Sequence, residues 1–199
     1  MRKLAWVATL CMPFLVGKVA DAQQFDLALG FGSVIGPSAS SASGNYSPQT
    51  IGGGVFPSFS GDFLLKHNFG VQGEVAWRAG QNLYGGFQPF RPIFYDVNGI
   101  YAPHISKIGA EIMAGIGAET VRFYQPFFNC SFTGCTNYTS TTHFMGHVGG
   151  GVRLYVFGNF FVRPEAHLYL VHNNFEFSSG RATRVGVSIG YTFRPGFGP

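Results

Sequence analysis

Charged residues are scarce in this chain of 199 residues. Lys, Arg, Asp and Glu together make up 11% of the sequence, whereas about 25% is usual for soluble domains. Only two lysines, Lys66 and Lys107, follow residue 22, and the arginines form no basic run. Because nucleic-acid binding needs a Lys/Arg patch on one face, the composition argues against nucleic acid as a partner. So few charges are also unusual for a surface that faces water.

The chain also lacks an apolar run long enough for a membrane-spanning helix. The run at residues 4–16 has 13 residues, fewer than the roughly 18 that a spanning helix needs. Arg2 and Lys3 precede it and small residues follow it, which is the pattern of a secretory signal peptide. Residues 1–22 are therefore predicted to be a signal peptide, with a membrane anchor or a lipoprotein at Cys11 as alternatives. The predicted cleavage site consists of Ala20, Ala22 and Gln23.

Cysteine is rare as well, with three in the whole chain. Once residues 1–22 are removed, only Cys130 and Cys135 remain, separated by four residues within a polar and aromatic stretch. In an oxidising compartment this spacing predicts a disulfide. A metal site is the alternative, but a zinc site would need a third and a fourth ligand, and none is near in the sequence.

What the chain has in abundance is glycine, phenylalanine and a period-2 alternation of apolar residues. Runs of this kind bounded by Gly, Pro, Asn and Ser predict β-strands. Eight such runs occur, at about residues 25–32, 51–65, 69–78, 93–101, 108–119, 143–156, 160–170 and 184–193.

The connections between these runs alternate between long and short. The short turns fall at residues 66–68, 103–106 and 158–159, and the third long loop is predicted at about 124–141. Short turns at one end and long loops at the other are typical of membrane β-barrels. Residues 23–193 are therefore predicted to form an all-β domain, an eight-stranded antiparallel up-and-down transmembrane β-barrel.

In the predicted strands, the residues that alternate with the apolar ones are Gly, Ala, Ser and a few ionisable groups. Such residues suit a narrow lumen better than a surface in water. An eight-stranded barrel has an interior that side chains can fill. Buried charges must be paired, so we predict a lumen network of arginine–carboxylate pairs. Its predicted members are Glu74, Arg78, Asp96, Glu111, Glu119, Arg153, Arg163, Glu165 and Arg184. A solvated sheet face and a soluble periplasmic carrier barrel are the alternatives.

Two prolines and three histidines fall within the predicted strands. Pro57 and Pro164 fall within predicted strands, where each removes a ladder hydrogen bond, so we expect bulges or strand ends there. His143 and His147 lie about 13 Å apart if they share a strand, which excludes joint binding of one ion. His167, on the next strand, could approach one of them, and hydrogen bonding in the lumen is the role predicted for these histidines. No metal or cofactor is predicted.

Four segments carry a resemblance to a known family: "MAGIGAE", "HVGGGVRLYV", "VRPEAHLYL" and the last strand, "VGVSIGYTF". With the strand plan, they make residues 23–193 similar to the small bacterial outer-membrane β-barrels, the eight-stranded domains like the membrane part of outer membrane protein A. The resemblance implies a place in the bacterial outer membrane, in contact with its lipid and lipopolysaccharide. It also implies that Tyr191 and Phe193 are read by the barrel-assembly machinery. Residues 194–199, which depart from the family pattern, are predicted to be a short periplasmic tail.

The sequence favours a structural or surface-interaction role without catalysis. A narrow pore for small solutes is one alternative, and a lipid-modifying enzyme is another. The segment "VHNNF" at residues 171–175 resembles the His-x-Ser-Asn neighbourhood of lipid A deacylases, but Asn174 stands where the serine would be. The aromatic third loop is either part of a membrane-boundary girdle or a contact surface for a partner. The oligomeric state is left open.

Overall fold

The computed structural model describes residues 24–37, 50–65, 68–105, 107–131, 134–174, 176–177 and 180–193. The predicted signal peptide with its cleavage site, and the predicted tail at 194–199, lie outside the described residues. No helix in the described part is long and apolar enough to cross a membrane. The strands are β1 (Gln24–Ile35), β2 (Phe56–Leu64), β3 (Phe69–Trp77), β4 (Asn82–Tyr84), β5 (Gln88–Tyr101), β6 (His104–Ile105), β7 (Ile108–Ser131), β8 (Gly134–Phe157), β9 (Phe160–Val171) and β10 (Arg181–Phe193).

Eight of these strands close into a ring. They follow the order β5, β3, β2, β1, β10, β9, β8, β7, and β7 pairs back onto β5. The first and last strands are antiparallel neighbours, with Phe25 opposite Phe193. The short strands β4 and β6 lie outside the ring, β4 against β5 and β6 against β7. The predicted eight-stranded antiparallel barrel is therefore confirmed.

The outer wall of the ring is apolar. One parity of each long strand leaves large apolar side chains exposed, because no second layer covers them. Examples from around the ring are Leu29, Phe31, Phe63, Val97, Ile112, Ile116, Phe144, Leu170 and Ile189. A continuous apolar wall of this kind matches the hydrocarbon of a bilayer and not water.

The prediction of a third long loop at about residues 124–141 is wrong, because most of these residues belong to β7 and β8. These two strands have 24 residues each and pair through Tyr124 and Tyr138, then again through Cys130 and Cys135. Thr and Tyr have high strand propensity, so "TNYTSTT" extends β8 although it shows no apolar alternation. The second strand is also shorter than predicted, since it begins at Phe56.

The two prolines behave differently from one another. Pro57 is the second residue of β2, near a strand end as expected. Pro164 lies in the middle of β9. Next to it, two residue pairs are missing from the ladder between β8 and β9, namely those between Gly151–Glu165 and Leu154–Val162. The register is the same on both sides of this gap. The bulge expected at Pro164 is therefore not found, and the register shift of this strand pair lies closer to the β8–β9 turn.

Candidate functional site

The lumen is the first candidate, because charged side chains from most of the ring meet in it. Arg153 of β8 contacts three carboxylates from three other strands. Its Nη2 lies 2.7 Å from Asp62, and it also pairs with Asp26 and Glu111. All four residues are buried. One guanidinium thus joins β1, β2 and β7 to β8 across the interior.

Arg163 of β9 extends this cluster. Its Nη1 lies 2.9 Å from Glu111 and 3.2 Å from Asp62, and its Nε lies 2.8 Å from Glu165. The remaining Nη2 donates to the Ser60 hydroxyl at 3.0 Å. Every nitrogen of the fork has a partner, which is what makes a fully buried guanidinium tolerable.

Arg184 of β10 lies where a metal ion would have to sit. Ligand atoms of Glu74, Glu165 and His167 lie within 4.8 Å of one another, a spacing that a cation could bridge. However, the Nη2 of Arg184 contacts all three: it pairs with Glu74, lies 3.3 Å from Glu165 and donates to the Nε2 of His167 at 2.8 Å. The guanidinium therefore supplies a positive charge next to all three of these groups.

A chain of hydrogen bonds connects Arg184 to Glu111. His167 accepts from Arg184 at Nε2, so its Nδ1 carries the proton and donates to the Nε2 of His147 at 3.0 Å. The Nδ1 of His147 then donates to Asn98 at 2.8 Å. Asn98 donates onward to Gln72 at 3.1 Å, and Gln72 donates to the carboxylate at 3.2 Å. The donors all point the same way, which assigns one tautomer to each histidine.

The nine residues predicted for the lumen network are all buried, but they do not form one group. The arginines of β8, β9 and β10 share one cluster with Glu74, Glu111 and Glu165, which Asp96 joins through a histidine 3.6 Å away. Arg78 packs instead against the loop at residues 53–54. Glu119 accepts a hydrogen bond from Asn174 at 3.1 Å. Neither of these two has an ion-pair partner among the described residues.

Two members of the network were missed by the sequence reasoning. Asp26 and Asp62 are both buried, and each contacts Arg153. They are directly opposite one another on β1 and β2. The alternation of the sequence indicated that both face the lumen, because Asp26 directly follows the wall residue Phe25 and Asp62 directly precedes the wall residue Phe63.

Above the charges, toward the long loops, the lumen is apolar. Phe94 of β5 stacks on Tyr169 of β9 with ring centroids 4.7 Å apart. Phe90 packs 5.1 Å from Phe177, which comes from the loop between β9 and β10. The complete layer consists of Val34, Ile51, Phe56, Phe90, Phe94, Val121, Phe123, Met145, Tyr169, Val171, Phe177 and Ala182. From the sequence we expected no large apolar residues to face the lumen. That expectation is wrong at this level, where the apolar layer closes the mouth of the barrel.

The loop after β9 is fastened over this apolar layer by polar contacts. The imidazole of His143 lies 2.9 Å from the Glu176 carboxylate, and the Tyr84 hydroxyl donates to the Glu176 carbonyl at 2.9 Å. Burial, with the nearby Glu176 carboxylate, raises the pKa of Tyr84, so the hydroxyl keeps its proton. Within the "VHNNF" segment, Val171 is the last residue of β9, His172 is exposed and Asn174 is buried.

Beyond the ring, β7 and β8 continue as a hairpin, which we call the finger (residues 124–138). Pairing of β7 with β5 ends at Phe123, and five residues of β8 give the finger a length of roughly 15 Å. The predicted disulfide is confirmed, since Cys130 and Cys135 are bonded near the tip. The finger contains no charged residue.

A bulge in the finger places two phenylalanines on its surface. Between the pairs Tyr124–Tyr138 and Asn129–Thr136, β7 advances five residues while β8 advances two. The extra residues leave the ladder, and among them Phe127 and Phe128 are 58% and 70% exposed. Two adjacent exposed phenylalanines on a projecting hairpin form a candidate contact surface.

The two residues of the predicted assembly signal lie at the short-turn end of the barrel. The rings of Tyr191 and Phe193 are 4.7 Å apart, and Phe193 lies 5.8 Å from Phe25 on the neighbouring strand. Both rings therefore belong to the seam where the last strand meets the first. Recognition of this seam by the assembly machinery stays a prediction.

No protein-family model matches the sequence, and no curated protein matches it either. Several solved structures match the fold. Neisserial surface protein A is similar with a TM-score of 0.61 and 9% identity over 87% of this chain and 99% of that one. Ail, the attachment invasion locus protein of Yersinia pestis, has a TM-score of 0.56 and 13% identity over 86% of this chain and 99% of that one. The N-terminal β-barrel domain of Pseudomonas aeruginosa OprF has a TM-score of 0.50 and 12% identity over 87% of this chain and 99% of that one. The chain has the fold of the small eight-stranded transmembrane β-barrels of bacterial outer membranes.

Proposed function

We propose that this protein is a non-catalytic, non-conducting barrel of the bacterial outer membrane that acts at the cell surface through its finger. Residues 1–22 would direct its export, and the aromatic end of β10 would be read during barrel assembly. The long loops and the finger then face the exterior, as in other barrels of this plan. The observation that carries the proposal is the finger itself, an uncharged hairpin with exposed phenylalanines beyond a filled barrel.

The packing of the lumen is what argues against a pore. From the short turns to the long loops it holds a small apolar cluster around Met113, the charge network and the aromatic layer. The glycines leave little room, since a Cβ on Gly149 would lie 3.0 Å from His167 and 3.1 Å from His147. Ions would have to displace paired charges to pass, which is costly in a buried network.

In planar bilayers we therefore expect the refolded protein to show no steady unitary current, while a general porin in the same bilayer conducts. The measurement is single-channel recording at several voltages. Steady currents that a bulky substitution such as Gly149→Leu abolishes would show that the lumen conducts, and would contradict this part of the proposal.

Deacylase chemistry of this kind would need a serine nucleophile, and the segment that resembles a lipid A deacylase carries asparagine at that position. Asn174 donates from Nδ2 to Glu119. Its side chain is therefore committed to holding the loop. This argues against deacylase chemistry at this segment.

The chemistry of the finger favours an apolar protein surface as its partner. One of the similar structures, Ail, was solved in complex with a heparin analogue, sucrose octasulfate. A polyanion of that kind is bound by basic side chains, and residues 124–138 contain none. Exposed aromatic residues are instead enriched at the centres of protein–protein interfaces.

Replacing both exposed phenylalanines tests this role. Cells that display the wild-type protein should bind a layer of extracellular-matrix proteins (fibronectin, laminin and collagen) in larger numbers than cells without it. Cells that display Phe127→Ser/Phe128→Ser should lose about tenfold or more of this binding, because central aromatic residues carry much of an interface's energy. Surface display is measured by whole-cell immunolabelling.

The matched control is Phe31→Ser, which removes an exposed phenylalanine from the outer wall of β1. It should leave adhesion per displayed molecule unchanged. Equal adhesion by the wild type and the finger variant, at equal display, would refute a role for the finger.

A further inference from the structure

Two arginines face each other on the outside of the barrel. Arg91 of β5 lies directly opposite Arg122 of β7. Their neighbours in sequence, Phe90, Val121 and Phe123, are buried in the lumen layer. Because side chains alternate along a strand, both arginines belong to the outward-facing parity.

Neither arginine has an acidic partner among the described residues. Arg91 donates from Nη2 to the carbonyl of Ala79 at 3.2 Å, and its buried Nε makes no hydrogen bond. The guanidinium of Arg122 lies 4.8 Å over the ring of Tyr138. Like charges directly opposite one another destabilise a strand pair, and no carboxylate in the described part of the chain offsets this repulsion.

The register places this pair at the upper boundary of the apolar wall. The opposed residues Val97 and Ile116 are 60% and 61% exposed and belong to that wall. Closer to the arginines runs a short ladder of hydroxyl groups, in which Thr120 lies 3.1 Å from Tyr95 and 2.9 Å from Thr142. A change from apolar to hydroxyl to cationic side chains is the order in which a bilayer changes from acyl chain to headgroup.

The level on the other side of the arginines completes the boundary. Tyr124 and Tyr138 pair at the base of the finger, and the guanidinium of Arg91 lies 5.9 Å from the first of these rings. Tyrosine is enriched at the level of lipid headgroups because its ring has an apolar body and a polar tip. The two arginines therefore lie between the acyl-chain region and the exterior, where headgroup phosphates are found.

We propose that Arg91 and Arg122 form a binding site for the phosphate of a lipid headgroup in the outer leaflet. A guanidinium fork matches the geometry of a phosphate and can bind two of its oxygens at once. A phosphate between the forks also cancels the repulsion between two opposed cations. The site depends on the outward orientation of the pair and not on the role of the finger.

The test uses the refolded protein in micelles of a non-ionic maltoside detergent, which carries no phosphate. Bisphosphorylated lipid A is titrated in, and its dissociation constant is compared between the wild type and Arg91→Gln/Arg122→Gln. Because hydrogen bonds between ionised partners are strong, we expect the double variant to bind at least about tenfold more weakly. Lipid A without its phosphates should bind the wild type as weakly as the phosphorylated form binds the variant. Unchanged affinity in the variant, or equal affinity for the two lipids, would overturn the proposal.

Three controls separate the site from simpler explanations. Lys107→Gln removes one positive charge at the short-turn end and should leave the dissociation constant unchanged, whereas a loss equal to that of the double variant would mean that net charge alone attracts the lipid. Arg122→Lys should retain more affinity than Arg122→Gln, and equal losses would exclude an ionic contact. Inorganic phosphate at matched concentration should not displace lipid A; displacement would make this a site for free phosphate and overturn the assignment to a lipid. Heat-modifiable migration on a gel verifies that each variant is folded.

Discussion

Arg163→Met should be among the most damaging single substitutions in this barrel, with a loss of about 3–5 kcal/mol in the free energy of unfolding. The side chain is 1% exposed and contacts Asp62, Glu111 and Glu165 from three strands. Methionine keeps much of the volume but leaves these carboxylates without one of their cations. The measurement is equilibrium unfolding in urea from lipid vesicles, followed by tryptophan fluorescence.

Because acids outnumber arginines in the lumen, we expect the loss of an arginine to cost more stability than the loss of an acid. Three arginines of the network are surrounded by six buried carboxyl groups, which are Asp26, Asp62, Glu74, Asp96, Glu111 and Glu165. Removing a cation worsens the excess of acids, whereas removing an acid reduces it. Asp62→Asn, which acts in the same cluster, should therefore cost clearly less stability than Arg163→Met. Equal losses for the two variants would mean that geometry, and not charge balance, decides the stability of the network.

Gly115→Val should prevent the barrel from reaching its folded form under conditions in which the wild type folds. A Cβ at this position of β7 would lie 2.1 Å from the carbonyl oxygen of Val97 and 2.3 Å from the side chain of Asn98. The first of these is backbone, so β5 and β7 would have to move apart and the ring would open. Overpacking of a well-packed interior costs about 1–3 kcal/mol, and here the cost should exceed that range. The folded fraction is measured by heat-modifiable migration on a denaturing gel.

The matched control for this substitution is Gly73→Val on β3. A Cβ on Gly73 would meet no atom within 4 Å, and its neighbours Gln72 and Glu74 carry the lumen side chains of that strand. The added side chain would therefore lie on the outer wall, where valine suits lipid. We expect normal folding. Normal folding of Gly115→Val as well would mean that β5 and β7 are less closely packed than their register implies.

The barrel itself could be predicted because its signal is local. Each strand alternates, and alternation depends only on which side of a strand faces lipid. The hairpin extension of β7 and β8 was not predictable in this way, because beyond the ring both faces meet water and the pattern disappears at residues such as Thr136 and Thr139. Strand propensity in "TNYTSTT" was the remaining signal.

The lumen network could be predicted in kind but not in its pairings. Parity identified the buried charges, since they alternate with lipid-facing residues, and the same reasoning applied to Asp26 and Asp62 would have included them. Parity could not separate Arg78 and Glu119 from the main cluster, because their height in the barrel depends on how far each strand is shifted against the next. Parity also places Phe94 on the same face of β5 as Asp96, but it could not show that Phe177 of the loop after β9 completes an apolar layer over the mouth.

The eight strands, the apolar outer wall and the disulfide follow from the sequence, because each of these depends on residues close together along the chain. The alternation of short and long connections follows from it except between β7 and β8, where strand replaces the predicted loop. Only the folded barrel shows which carboxylates share Arg153, Arg163 and Arg184, how the mouth is closed and that Arg91 lies opposite Arg122. These contacts join residues that are far apart in the sequence. Their partners are set by the register of neighbouring strands and by the closure of the ring, and a period-2 pattern carries no information about either.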